Sequence, residues 1–221
     1  MMPRQNRVNP FGEIIATQER GMFMGNRGVL HDQQGRIQRD WLGKRWLVCV
    51  LEFRGRKRTV MSPRHYTELF FLDEATALAA GHRPCAECRW ERFNAFRHAW
   101  RLEEHSHPPT AAEIDNRLHT ERLAPDKKKK VHLANLADLP NGVFVKMADW
   151  GENAYLVWND RLLLWTAGGY SAQKKRPHDA KVEVLTPKST VEAISAGYVP
   201  EIHISASQWG GGRKPWKNTI S

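Results

Sequence analysis

The centre of the chain reads LFFLDEATALAAGHRPCAEC from Leu69 to Cys88, and this segment organises the prediction of the fold. Good helix formers occupy residues 73–80, and Gly81 follows at a position where helices often end in a left-handed residue. A second helix is predicted over residues 85–104, because its aromatic side chains recur at helical spacing and match a core-facing stripe.

The sequence on both sides of this segment is typical of β-structure. Short apolar runs separated by turn residues fill residues 11–60. They return after residue 140 and predict strands over residues 142–147, 154–158, 161–166 and 181–185. Between them, Thr110 opens a capping box that predicts a third helix, and a last short helix is predicted over residues 190–196. The sequence therefore predicts an α+β fold with β-rich ends around a helical middle.

Three segments are expected along the chain. Residues 1–125 form the first domain, residues 131–206 a β-rich C-terminal lobe, and residues 207–221 a flexible basic tail. The four consecutive lysines of residues 127–130 are typical of a solvated charge run, and they favour two lobes hinged near this linker.

Composition limits the classes of function. No apolar run approaches the roughly 20 residues that span a bilayer, and the first residues lack the apolar stretch of a signal peptide. Three cysteines are too few for a disulfide framework, which favours a cytoplasmic protein. The net charge of +10 attracts polyanions, and the nine tryptophans offer faces for stacking bases as well as core area.

The CxxC spacing of Cys85 and Cys88 lets both thiolates reach one tetrahedral zinc ion. A redox pair is the alternative, but no βαβ pattern of the thioredoxin kind surrounds it. Structural zinc has four ligands. Cys49 is a candidate for one of them and equally a small buried hydrophobic residue, while His65 is a weaker candidate close in sequence.

Residues 69–88 resemble the second half of the metal-binding domain of the Ada alkylation-response proteins, with a short helix, Ala-Ala-Gly-aromatic-Arg-Pro and then Cys-x-x-Cys. The resemblance implies that Cys85 and Cys88 bind zinc and that the domain contacts DNA. The upstream cysteine pair of that family, one of which accepts methyl groups, is absent, so we expect no phosphotriester repair. Other stretches are similar to an uncharacterised bacterial family, which implies no chemistry.

A possible catalytic group lies on the third helix. Asp115 and His119 are four residues apart and share a helix face, as a general base and its orienting carboxylate would, and Glu121 is a weaker third member. The ordinary alternative is two stabilising surface pairs, Asp115 with His119 and Arg117 with Glu121.

The leading hypothesis is a zinc-stabilised protein that binds DNA or RNA, linked to DNA repair or modification. The predicted contacts are six basic residues near the CxxC motif: Arg54, Arg56, Lys57, Arg58, Arg83 and Arg89. One alternative is a nuclease or glycosylase that uses Asp115 and His119. The other is a zinc-stapled module that binds a protein.

Overall fold

Two six-stranded β-sheets, one in each half of the chain, frame the helices. The computed structural model describes residues 2–56, 59–100 and 107–210. The α+β class predicted from the sequence is confirmed. Within these residues the strands are β1 Gln5–Val8, β2 Ile14–Ala16, β3 Phe23–Asn26, β4 Leu47–Cys49, β5 Leu69–Phe71, β6 Arg83–Pro84, β7 His132–Asn135, β8 Phe144–Lys146, β9 Tyr155–Trp158, β10 Arg161–Thr166, β11 Gly169–Lys175 and β12 Lys181–Val184. The α-helices are α1 Glu74–Ala79, α2 Trp90–Ala99, α3 Ala111–Arg122 and α4 Lys188–Ser195.

The first sheet has the strand order β2-β1-β5-β3-β4-β6. Gly25 allows β3 and β4 to pair closely, since a Cβ at this position would lie 2.0 Å from the Leu47 carbonyl oxygen. On its other side β4 pairs in parallel with the short strand β6. The end of β4 is therefore held beside the residues that follow β6, and this pairing positions the cysteines.

Helix α1 confirms the prediction for residues 73–80 and is buried along its whole length. Asp73 caps its first turn by accepting hydrogen bonds from the backbone N–H and the hydroxyl of Thr76. Gly81 ends it at φ +92°, a conformation that glycine adopts without steric cost. Its alanines and Leu78 suit burial on every side, and its two polar side chains are buried with partners, since Glu74 pairs with Arg89 and the Thr76 hydroxyl accepts from Trp165.

Helix α2 is shorter than the prediction of residues 85–104. It begins at Trp90, because residues 85–88 form a turn instead of a first helical turn, and it ends at Ala99; residues 101–106 lie outside the described chain. Phe93 and Phe96 are buried as the aromatic stripe predicts, whereas Trp90 is 56% exposed.

Helix α3 begins with the predicted capping box, in which Thr110 and Glu113 bond reciprocally. Its apolar stripe, Ile114 and Leu118, is fully buried. Considering the described residues only, no helix is long and apolar enough to cross a membrane.

The lysine run does not extend as a linker. Backbone hydrogen bonds fold it back on the end of α3, with the N–H of Ala124 bonding the carbonyl of Lys128 and that of Lys130 bonding the carbonyl of Arg122. Lys127 occupies the left-handed region at φ +67°, as a tight turn requires. The expectation of a solvated run is wrong for Lys129, whose ammonium donates to the carbonyl of Ala79 in α1.

The second sheet has the order β11-β10-β9-β8-β12-β7, and its strands β8, β9, β10 and β12 lie where the apolar runs predict them. Its core includes residues from the middle helices, among them Leu78, Phe96 and Leu118. The helical middle therefore shares a hydrophobic core with the C-terminal sheet. The division at residues 126–130 stays a prediction from the sequence.

Candidate metal centre

Three thiols meet at the edge of the first sheet. The sulfur atoms of Cys49, Cys85 and Cys88 all lie within 4.8 Å of one another. Zn–S bonds of about 2.3 Å in a tetrahedral site place sulfur atoms just under 4 Å apart, so the three side chains fit three corners of such a site. The structure thus groups Cys49 with the CxxC pair and shows a cluster that could bind a metal ion.

Backbone pairing explains why these thiols meet. Cys49 is the last residue of β4, and the N–H of Cys85 donates to the carbonyl of Val48, which extends the β4–β6 pairing by one residue. The chain then turns through residues 85–88, and the backbone N–H of Glu87 donates to the Cys85 sulfur at 3.4 Å. At Cys88 the contact with Cys49 and a backbone N–H from Val50 lower the pKa of the thiol, but the contact with Cys85 and burial outweigh them and raise it. Amide donors around the sulfurs stabilise the anionic forms that a metal requires.

The three thiols compete for protons. Hydrogen bonding with the thiol of Cys49, followed by that of Cys88, lowers the pKa of Cys85. The same contacts, first with Cys85 and then with Cys88, raise the pKa of Cys49. A divalent cation would remove this competition by accepting all three as thiolates, which is the chemistry of a soft-ligand zinc site.

The fourth ligand is not assigned by the described residues. His65 lies outside the cluster, and its Nδ1 atom is 3.1 Å from the carbonyl oxygen of Pro63. We therefore leave His65 out of the ligand set. In the described chain the group that could bind a metal ion consists of the three cysteines, and such a set would leave a fourth corner for water or an added ligand.

A basic loop adjoins the cysteines. Arg56 pairs with Glu87 of the CxxC turn at 2.8 Å, and both side chains are at least half exposed. Arg54 and Arg56 also lie over the ring of Phe53. Of the four residues predicted in this loop, Lys57 and Arg58 lie outside the described residues.

The other two predicted nucleic-acid contacts, Arg83 and Arg89, are buried. Arg83 makes a bidentate ion pair with Asp115, with N···O distances of 2.8 and 2.7 Å. Arg89 pairs with Glu74 at 2.8 Å, where both side chains are inaccessible to solvent. Buried guanidiniums that already hold carboxylates cannot reach a polyanion, so we remove both from the interface.

The predicted catalytic group is not assembled among the described contacts. Asp115 faces Arg83, while His119 accepts from Arg122 through Nδ1 at 3.1 Å and lies edge-on to Trp41. Burial, with the cation of Arg122, lowers the pKa of His119. Glu121 accepts the backbone N–H and hydroxyl of Ser189 in the first turn of α4. Each side chain therefore has a separate partner.

No local motif indicates a cluster of cations that the structure brings together. Arg27 and Arg122 are buried and Lys129 is partly buried, and all three line one cleft beside Trp46. Arg122 and Lys129 are close in sequence, whereas Arg27 comes from a distant part of the chain. The only signal was the tetralysine run, whose composition is equally typical of a solvated surface.

Comparisons with protein-family models, with curated proteins and with solved structures found no match to this chain.

Proposed function

We propose that this protein is a zinc-stabilised nucleic-acid-binding protein. One juxtaposition carries the proposal: Arg56 of the exposed basic loop pairs with Glu87, which lies between two of the three clustered thiols, Cys85 and Cys88. A metal at the cluster would fix the end of β4, and with it the start of the basic loop. The resemblance of residues 69–88 to Ada supports DNA repair or modification as the setting.

Zinc is proposed as the metal because of the donor set. Thiolates select zinc, cuprous copper and iron–sulfur clusters, and the CxxC turn with amide N–H groups directed at sulfur suits a tetrahedral zinc site. When bound, the ion would supply structural cross-linking of β4 and the CxxC turn. Asp115, His119 and Glu121 are each engaged elsewhere, so the nuclease or glycosylase alternative gains no support from the described contacts.

Salt-dependent binding to DNA tests the proposal. Each phosphate neutralised by a cation contributes about 0.9 to the slope of log K against log salt. We expect Arg54→Gln/Arg56→Gln to weaken binding and to reduce the slope by up to about two. Lys175→Gln/Lys181→Gln is the matched control, since it removes the same charge from exposed strand positions of the second sheet. Identical slopes for the wild type and the Arg54/Arg56 variant would remove the loop from the interface.

A further inference from the structure

A cleft of about 860 Å³ opens between the two halves of the chain. Its wall includes Arg27 from the residues after β3, Arg122 at the end of α3 and Lys129 from the folded-back lysine run. Trp41 and Trp46 line the same space. Clefts of 300–1,000 Å³ that combine aromatic walls with a few converging polar groups are the usual form of small-molecule sites.

The two arginines are buried without a carboxylate partner. Arg27 and Arg122 are each 1% exposed, and their guanidiniums lie 4.1 and 3.8 Å from the ring centroid of Trp46. Arg27 donates to the carbonyl of Gly12 and to the imidazole of His82. Arg122 donates to the carbonyl oxygens of Gly81 and Lys44. These acceptors are neutral, so they leave the positive charge in place.

Each arginine also has a donor atom without a partner. Nη2 of Arg27 and Nε of Arg122 are buried and make no hydrogen bond within the described chain. An unpaired buried donor costs about 1–3 kcal/mol, and more when it is charged. A buried donor without an acceptor calls for an explanation, and a ligand in the cleft that accepts hydrogen bonds would provide one.

The third cation, Lys129, lines the same cleft and is partly buried. Lys129 donates to the carbonyl of Ala79, and burial together with the charges of Arg27 and Arg122 lowers its pKa to about 7. Burial likewise lowers the pKa of each arginine to about 9, partly offset by Asp40 at Arg27 and by Asp115 at Arg122. The charge of Arg27 lowers the pKa of Arg122, and both arginines lower the pKa of Lys129, so these like charges are held together at a cost in stability.

The acids along the cleft have their own partners. Glu13 accepts from the side-chain amide of Asn9 at 2.7 Å, and Glu152 pairs with Lys146 at 2.6 Å. Glu183 is 3.9 Å from the same lysine. Asp40 also lines the cleft, but its charge offsets only part of the effect of burial at Arg27, and the described ion pairs do not join the two. The carboxylates therefore leave most of the positive charge of the three cations in place, and an anionic ligand would neutralise it.

We propose that the cleft binds a phosphate-bearing ligand, with Arg27, Arg122 and Lys129 holding the phosphate. A phosphate has several acceptor oxygens and about two negative charges, which matches a site with two guanidiniums and one ammonium. The volume beyond the phosphate accommodates a nucleotide-sized group, and Trp41 offers an aromatic surface beside it. None of the three cysteines lines the cleft, so the site is independent of the proposed zinc function.

Calorimetric titration at pH 7 and low salt tests this site with inorganic phosphate, a nucleoside 5′-monophosphate and the unphosphorylated nucleoside. We expect one saturable site for the two phosphates and no binding of the nucleoside alone. Lys129→Met should weaken phosphate binding at least tenfold. Lys130→Met, which removes the adjacent exposed lysine, should bind as the wild type does. Arg27→Lys is a second variant that retains the charge and loses the fork of donors, and it should also bind more weakly.

The source of the phosphate is distinguished in the Arg54→Gln/Arg56→Gln background, where the basic loop no longer contributes. Tighter binding of a 5′-phosphorylated oligonucleotide than of its 5′-hydroxyl counterpart would assign the site to nucleic-acid ends. Preference for the mononucleotide would assign it to a free nucleotide. Absence of saturable binding of every phosphate by the wild type, or unchanged affinity in Lys129→Met, would overturn the proposal while leaving the zinc and loop experiments untouched.

Discussion

At the scale of single residues, Cys49 shows what spacing can and cannot predict. Cys85 and Cys88 are separated by two residues, so the sequence predicts that they share a metal site. Cys49 lies on another strand, and only the parallel pairing of β4 with β6 brings its thiol to them. Strand pairing is a long-range choice that a local pattern does not encode. From the sequence alone, Cys49 is therefore equally consistent with a metal ligand and with a small buried hydrophobic residue.

Cys49→Ser should lower the zinc content well below one equivalent per chain and reduce thermal stability, because metal binding is part of the folding free energy at a structural site. Cys85→Ser and Cys88→Ser should behave alike. Elemental analysis after washing with a chelator measures this. His65→Ala is the control and should keep its zinc, and full zinc occupancy in Cys49→Ser would contradict the three-thiol assignment.

Lys129 gives a pH dependence with a defined sign. Its pKa of about 7 in the folded chain lies below its ordinary value of 10.5, so the unfolded chain binds more protons between these values. The unfolding free energy therefore rises as pH rises from 7 towards 10.5. Below pH 7 the lysine is charged in both the folded and the unfolded chain, so the folded chain carries the full free-energy cost of burying the charge. Arg27 and Arg122 face the ammonium and titrate higher, near 9. The remaining charged groups along the cleft are Glu13, Asp40, Lys127, Lys128, Lys146, Glu152 and Glu183.

We expect Lys129→Met to be more stable than the wild type at pH 7 without phosphate. The difference should shrink by on the order of 1–2 kcal/mol between pH 7 and pH 9, as the wild-type lysine loses its proton. Urea unfolding of both proteins at the two pH values measures this difference. A constant difference across the range would show that Lys129 does not titrate there.

At the scale of elements, helix α3 illustrates how far a local signal extends. The capping box and the apolar stripe predict its start and its buried face, and both are confirmed. Spacing alone predicts a possible catalytic pair of Asp115 and His119 on one polar face. In the structure the polar side chains are instead tethers to other elements, since Asp115 binds Arg83 of β6 and Glu121, on a different side of the helix, binds Ser189 of α4. A helical wheel shows which residues share a face but not what lies opposite that face.

Asp115→Asn should destabilise the protein by about 3–5 kcal/mol, because it leaves the buried guanidinium of Arg83 without its counter-charge. Arg117→Ala on the same helix is the matched control. Its pair with Glu121 involves an arginine side chain that is 54% exposed, and such pairs contribute about 0–1 kcal/mol. Chemical denaturation measures the free energy of unfolding of both variants. Equal losses of stability would show that the buried Arg83–Asp115 pair contributes no more than the exposed Arg117–Glu121 pair.

At the scale of the whole molecule, the fold class and most strand positions in the second sheet followed from apolar periodicity, while the packing between the halves did not. Leu78, Phe96 and Leu118 look like ordinary core residues of the N-terminal part. They pack in one cluster with residues of the C-terminal sheet, such as Val145 and Val184. Periodicity shows that a face is buried, but it does not show against which layer.

This shared core predicts cooperative unfolding. We expect the metal-loaded protein to give a single calorimetric transition whose van't Hoff and calorimetric enthalpies agree. Leu118→Ala, at the junction of the helices with the second sheet, should shift the whole transition to lower temperature, with a loss of about 2–5 kcal/mol. Two separate transitions, with only one of them moved by this variant, would support independent lobes on either side of the lysine run.

The pairing of β4 with the CxxC turn also has a topological consequence. Residues 50–84 run from one thiol of the cluster to the next, so a metal ion bound there closes this stretch into a ring. By the chain-entropy relation used for covalent cross-links, closing a ring of this length lowers the entropy of the unfolded chain and so raises its free energy by about 4 kcal/mol. The basic loop, β5 and α1 all lie inside the ring, whereas the strands of the second sheet lie outside it. An ion at the edge of one sheet would thus limit the conformational freedom of the segment that carries Arg54 and Arg56.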